Sequence, residues 1–166
     1  VLAGVMRRWM ELGLPLEEAV PSHPLGNFVA RPHPQFVADA KDVLAASGDR
    51  TSRILDARSA ERFRGEAAPI DAVAGHVPGA RNPPFTASLG ADGRFLPAAE
   101  LRAALAGRLE GVPAQSTVAM CGSGVTACHL LLAMELAGLD GARLYAGSWS
   151  EWSRDPSRPV ARGDAP

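Results

Sequence analysis

The chain has 166 residues, 46% of them hydrophobic, and a formal net charge of −1. That length and apolar content suit one domain with a real core. The near-zero charge excludes the basic excess of a nucleic-acid binder, and no apolar run approaches a membrane span or a secretory signal.

The first residue is Val1 and not Met, which reads as a piece of something longer or a processed product. Near the start, Gly4 is followed by Trp9 and then Pro15; near the end, Gly147 is followed by Trp152 and then Pro159. Internal repetition of this kind points to a repeated unit. Residues 1–20 therefore read as the last helix of a preceding domain of the same type, against the alternative of coincidence among common residues. Residues 21–35, with Pro21, Pro24, Pro32 and Pro34, read as a connector, with a first strand at Asn27-Phe28-Val29-Ala30.

Residues 36–166 carry the main domain. Phe36, Val37, Ala40, Val43 and Leu44 fall near helical spacing and predict a helix from Phe36 to Ala46, stopped by Gly48. Ser52 to Ala57 predicts a short strand, followed by a small helix from Ala60 to Phe63. Gly75-His76-Val77-Pro78-Gly79-Ala80 is turn chemistry leading to Arg81 and Asn82, and Glu100 to Leu109 reads as an amphipathic helix. Ser116 to Met120 is a third strand. The helix Val125–Leu136, apolar nearly all round, follows it, and such a helix packs on more than one side. Ala142 to Tyr145 and a short helix from Trp149 to Trp152 end the unit. Strands alternating with helices imply an α/β fold in three layers, with a central parallel sheet and helices on both faces. In such sheets, sites form at the carboxyl ends of strands. Asp56, Arg58 and Cys121 lie at or just past such ends, on one rim.

Cys121-Gly122-Ser123-Gly124-Val125-Thr126-Ala127 is the segment richest in chemistry. A cysteine between a strand and a helix N-terminus meets converging backbone N–H groups and the positive end of a helix dipole, both of which favour a thiolate. Two glycines allow the backbone to curl around the sulfur. No His or Lys is adjacent, so peptide dipoles must supply the ionisation. A buried, inert cysteine is the competing reading, and the flanking glycines argue against it. Two enzyme classes use such a loop. The phosphatase and arsenate-reductase type needs an arginine at the seventh loop position, and Ala127 stands there, so the fork onto phosphate is missing. The other class is sulfur transfer through a cysteine persulfide.

The loop resembles the active loop of the 3-mercaptopyruvate sulfurtransferases of the rhodanese superfamily. Gly75 to Ala80 with Asn82 is similar to that superfamily's G-H-I-P-G-A segment. Leu55-Asp56-Ala57-Arg58, Arg62-Phe63-Arg64-Gly65 and Gly147 to Trp152 fall in the family's order. The resemblance covers about residues 27–160. It implies a rhodanese-like catalytic domain, and residues 1–20 as the tail of a preceding rhodanese-like domain against which it packs. It also implies roles: Cys121 as the persulfide carrier, amides of Gly122, Ser123, Gly124, Val125 and Thr126 around the sulfur, and Arg62 against an anionic substrate. The implied donor is a small molecule, 3-mercaptopyruvate in preference to thiosulfate, because Gly122 and Ser123 are neutral where thiosulfate-specific members carry cations. The acceptor is a thiol or cyanide. No cofactor or metal is implied, since the persulfide itself carries the sulfur. A second arginine of the family's pattern is absent from Ala68-Pro69-Ile70-Asp71. A non-turnover sulfur-relay or protein-binding module is the alternative function.

The remaining polar residues have plainer readings. His76 is expected to be a structural hydrogen-bonding group, His129 a packed helix residue, and Asp56 a buried, paired carboxylate. Arg64 and Arg81 are surface charges or part of a positive rim, and Trp149 and Trp152 wall the pocket or pack the core. The four histidines show no metal-ligand spacing. Cys121 and Cys128 make no disulfide framework; a reduced, cytoplasmic setting is the simpler expectation.

Overall fold

A computed structural model describes residues 4–67 and 71–164 of the chain. Among these, four short parallel strands form one sheet in the order β1–β4–β3–β2: β1 (Val37–Ala38), β2 (Arg53–Asp56), β3 (Thr117–Met120) and β4 (Arg143–Tyr145). The helices are α1 (Val5–Glu11), α2 (Ala40–Ser47), α3 (Ala60–Arg64), α4 (Ala98–Leu109), α5 (Val125–Leu136) and α6 (Ser148–Trp152).

The sheet separates two apolar clusters, because successive strand residues point to opposite faces. Ile54, Val118, Met120 and Tyr145 join Val43 of α2, Phe63 of α3, and Trp149 and Trp152 of α6 on one face. Leu55, Ala119 and Cys121 join Leu101, Leu105 and Leu109 of α4 and Ala127, Leu130, Ala133 and Met134 of α5 on the other. Helices thus cover both faces, as the α/β pattern predicts. The α4 leucines recur every four residues and are all buried, which is one stripe of a helix. The α5 helix packs on β3, on α4 and on a 3₁₀ turn at Phe85–Ser88, while Val125 and Leu136 at its ends remain exposed.

Two local expectations are corrected. The helix predicted from Phe36 begins at Ala40: Pro34–Phe36 is a 3₁₀ turn, and Val37 and Ala38 pair with Leu144 and Tyr145. Asp39 sets the start, accepting from the amides of Lys41 (2.8 Å) and Asp42 (2.9 Å), while Asp42 accepts from the Asp39 amide (3.1 Å). This reciprocal cap outweighs the apolar spacing upstream. The strand expected at Asn27–Ala30 is not formed. Phe28 and Val29 are exposed, no strand among the described residues runs beside them, and an unpaired strand leaves its backbone groups to water. The first strand is instead Val37–Ala38, beyond the connector. Ala68, Pro69 and Ile70, part of the stretch lacking the second arginine, lie outside the described residues.

Register brings the site together. Asp56 of β2 stands opposite Met120 of β3, and Ala119 of β3 opposite Leu144 of β4. Parallel neighbours end on the same edge, so the segments leaving β2, β3 and β4 converge there.

Candidate active site

Cys121 follows β3 directly, at 2% exposure, and its loop closes into α5 through Gly124. Gly124 has φ 87°, and a Cβ there would stand 2.9 Å from the Ala146 carbonyl oxygen. Both facts require glycine. The turn aims the Gly124 amide N–H at Cys121 Sγ, 3.1 Å away. Burial pushes the thiol pKa up. The Thr126 hydroxyl and the amides of Ser123, Ala127 and Gly124 outweigh it and hold the thiol below its ordinary value. The ionised sulfur is therefore stabilised chiefly by hydrogen-bond donors of its own loop, with a smaller coulombic attraction from Arg62.

The loop is stitched to α6. The Cys121 amide donates to Ser148 Oγ (3.1 Å), and the Ser148 hydroxyl donates to the Tyr145 carbonyl (2.9 Å). The amides of Trp149 and Ser150 donate to the carbonyls of Cys121 and Gly122, both at 2.9 Å, and the Ser150 hydroxyl adds a bond to Gly122 at 2.7 Å. Ser148 is fully buried and has φ 52°, a left-handed conformation unusual for a residue with a side chain. That conformation coincides with the point where β4 turns back over the cysteine loop.

Arg62 of α3 leans over the same loop. Its Nε and Nη2 donate to Asp71 Oδ2 and Oδ1 at 2.9 and 2.6 Å. A Cβ on Gly122 would meet Arg62 Nη2 at 3.0 Å, so a side chain there would crowd the guanidinium. The Asp71 hydrogen bond holds Arg62 above its already high pKa, and the nearby Asp56 and Cys121 add to this. Arg62, Cys121, Gly122, Ser123, Val125, Thr126 and Ser150 line a cavity of about 140 Å³. Six of these are sequence-predicted site residues. The seventh predicted site residue, Gly124, contributes its amide to the sulfur. Sequence reasoning missed Ser150, Ser148 and Asp71. A pointer to the serines existed in the Gly147 to Trp152 motif, but nothing local linked it to the cysteine.

Beneath the cavity, Arg58 Nε and Nη2 bind Asp56 Oδ2 at 2.9 and 2.7 Å, and Nη2 also donates to the Gly75 carbonyl (2.8 Å). The Arg58 guanidinium lies 4.6 Å from the Trp149 ring centroid, and Asn82 Nδ2 donates to the carbonyls of Asp56 and Arg58. Asp56 and Arg58 are 0% and 2% exposed, as expected for a paired buried carboxylate. His76 is buried, its Nδ1 2.8 Å from the Phe63 carbonyl and its ring stacked on Phe63 at 3.8 Å. This suits the structural reading. His129 packs against Phe85 and Phe95, with its pKa lowered by burial. Arg64 pairs with Glu66, and Arg81 with Glu110. Trp149 and Trp152 are core residues that donate to the Val73 and Pro159 carbonyls. Cys128 is exposed and, like Cys121, a free thiol. Among the described residues no His, Cys, Asp or Glu cluster fits a metal, and no helix is long and apolar enough to cross a membrane.

Fold and loop define an open parallel α/β domain whose strand-to-helix turn cradles one acid-shifted thiol. The chain belongs to the rhodanese-like domain family, whose family model matches residues 39–155. It is 49% identical over 164 residues to the "Probable 3-mercaptopyruvate sulfurtransferase" of Pseudomonas aeruginosa, covering 99% of this chain and 58% of that protein. It is 39% identical over 163 residues to the 3-mercaptopyruvate sulfurtransferase of Escherichia coli (strain K12), covering 96% and 57%. SseB of Mycobacterium tuberculosis, which carries the name of a thiosulfate sulfurtransferase, is 43% identical over 168 residues, covering 99% and 58%. The chain thus spans a little under three-fifths of the length of these relatives. The fold also matches a solved structure of EanB in complex with ergothioneine, with TM-score 0.86 at 23% identity over 98% of this chain and 41% of that one.

Proposed function

We propose that this chain is the catalytic rhodanese domain of a sulfurtransferase that carries sulfur as a Cys121 persulfide. The observation that carries this reading is a thiol shifted toward its anion that lines a small cavity with Arg62. The thiolate attacks the transferable sulfur of a small donor, the thiol sulfur of 3-mercaptopyruvate or the outer sulfur of thiosulfate. With 3-mercaptopyruvate, an S–S bond forms, the C–S bond breaks, and the departing pyruvate enolate takes up a proton. With thiosulfate, the S–S bond of the donor breaks and sulfite leaves with the electron pair. The outer sulfur then passes to a thiol, giving a new persulfide, or to cyanide, giving thiocyanate, and the Cys121 thiolate returns. The amides of Ser123, Gly124 and Ala127 and the Thr126 hydroxyl stabilise both anionic forms of the cysteine, and Arg62 faces the anionic end of the donor. The neutral Gly122 and Ser123 favour 3-mercaptopyruvate, and the names of the relatives above agree with either donor.

Residues 1–20 are proposed as the end of a preceding rhodanese-like domain packed against this one. Geometry supports this. Val5 after Gly4 and Ser148 after Gly147 share a positive φ, 45° and 52°. Trp9 Nε1 donates to the Pro15 carbonyl as Trp152 Nε1 donates to the Pro159 carbonyl, at 2.8 and 3.0 Å. A reducing, cytoplasmic setting fits the two free thiols.

The test is mass spectrometry after exposure to donor, followed by steady-state turnover with cyanide. One added sulfur on Cys121, lost in the Cys121→Ser variant together with turnover while the unfolding curve is retained, is the expected result. Sulfur loading without turnover would favour the relay module instead. Undiminished turnover in Cys121→Ser would move the chemistry away from this loop.

A further inference from the structure

The proposed site contains one arginine, and that arginine is already engaged. Arg62 forks onto Asp71, whose side chain is 4% exposed against 21% for Arg62. Asp71 also faces Arg58 Nη1 at 3.7 Å, and Arg58 is in turn forked onto Asp56. Asp56, Arg58, Asp71 and Arg62 therefore alternate in sign and sum to zero. The other cavity-lining residues besides Cys121 are Gly122, Ser123, Val125, Thr126 and Ser150, all neutral. With Cys121 ionised, an incoming anion meets a site whose network and nucleophile together carry one negative charge.

We propose that Asp71 is a specificity-determining residue, which holds Arg62 in place and cancels its charge so that the site favours a monoanionic sulfur donor over a dianionic one. The inference rests on the sulfur-transfer reading of this cavity. Coulomb energy is linear in charge. Whatever Asp71 costs a monoanion in free energy it costs a dianion twice over, so the rate factor for the dianion is the square of that for the monoanion. 3-Mercaptopyruvate is a monoanion at neutral pH and thiosulfate a dianion. A carboxylate that only supports the fold would change both donors by one common factor.

Asp71→Asn keeps the shape and removes the charge. If kcat/KM for 3-mercaptopyruvate rises about threefold, that for thiosulfate rises about tenfold, mostly through KM. Asp71→Glu keeps the charge and should keep the wild-type donor ratio, with kcat altered equally for both. A common factor for both donors in Asp71→Asn, or the same ratio change in Asp71→Glu, overturns the proposal. Should thermal unfolding show that Asp71→Asn does not fold, Arg62→Gln serves in its place. It leaves Asp71 uncompensated, so the loss for thiosulfate is the square of that for 3-mercaptopyruvate, and equal losses overturn the proposal. A second readout needs no turnover: protection of Cys121 from iodoacetamide by inorganic sulfate and by pyruvate, in the full chain. In Asp71→Asn the protecting concentration should fall about tenfold for sulfate where it falls about threefold for pyruvate. That shift in a protein that transfers no sulfur would sink the sulfurtransferase reading and leave the role of Asp71. An unchanged ratio in an active enzyme would do the reverse.

Discussion

At Cys121 two effects oppose each other. Burial raises the pKa of the thiol, and the Thr126 hydroxyl with three loop amides lowers it further than burial lifts it. The folded value therefore lies below the unfolded one. The stability this ionisation contributes is fully present above the unfolded value, about 8.5 for free cysteine, and is lost as pH falls through the folded value. Reactivity follows the thiolate, so alkylation of Cys121 by iodoacetamide should reach its plateau at lower pH than alkylation of a free thiol. Thr126→Val removes the side-chain donor and keeps the shape. Its pH profile is expected to move toward alkaline values, with a severalfold slower reaction at neutral pH; an unmoved profile would leave the amides as the whole cause. This part of the site was legible in the sequence because it is local: a cysteine, two glycines and a helix start within seven residues carry their own geometry. Asp71 was not legible as the partner of Arg62. A carboxylate nine residues away in a loop carries no local signal that pairs it with that arginine.

Among the elements, α6 matters most to the loop although it is only five residues long. Its first residue, Ser148, accepts from the Cys121 amide and donates to the Tyr145 carbonyl. Ser148→Ala leaves the buried Cys121 amide without its acceptor, a loss of about 1–3 kcal/mol. Urea unfolding should show that loss. Transfer should also slow, because the amides around the sulfur are no longer held; a variant as stable and as active as the parent would contradict this account. The sequence placed α6 near Trp149 and identified the motif around it, yet offered no reason to set it on the cysteine loop. That reason is tertiary: β3 and β4 are parallel neighbours, so the turns that leave them share one edge. The start of α2 failed for the opposite reason. The signal was local, in Asp39 and Asp42, and the apolar spacing from Phe36 masked it.

For the whole molecule, all four strands and both apolar clusters lie between Val37 and Trp152. Residues 11–33 are exposed throughout, and Arg7 reaches the rest of the fold through a hydrogen bond to the Asp92 carbonyl. Deletion of residues 1–33 is therefore expected to leave a single cooperative unfolding transition by circular dichroism. A broad, non-cooperative melt would mean that the N-terminal segment completes the core. The sequence by itself determined the alternation of strands and helices, the apolar stripes and the loop that cradles the sulfur, because each rests on neighbours a few residues apart. Tertiary structure alone decided that Val37–Ala38 and not Asn27–Ala30 is the first strand, and that Asp71, Ser148 and Ser150 belong beside Cys121. These are contacts between segments whose meeting is set by sheet order and register, and neither is written in the composition or periodicity of any one stretch.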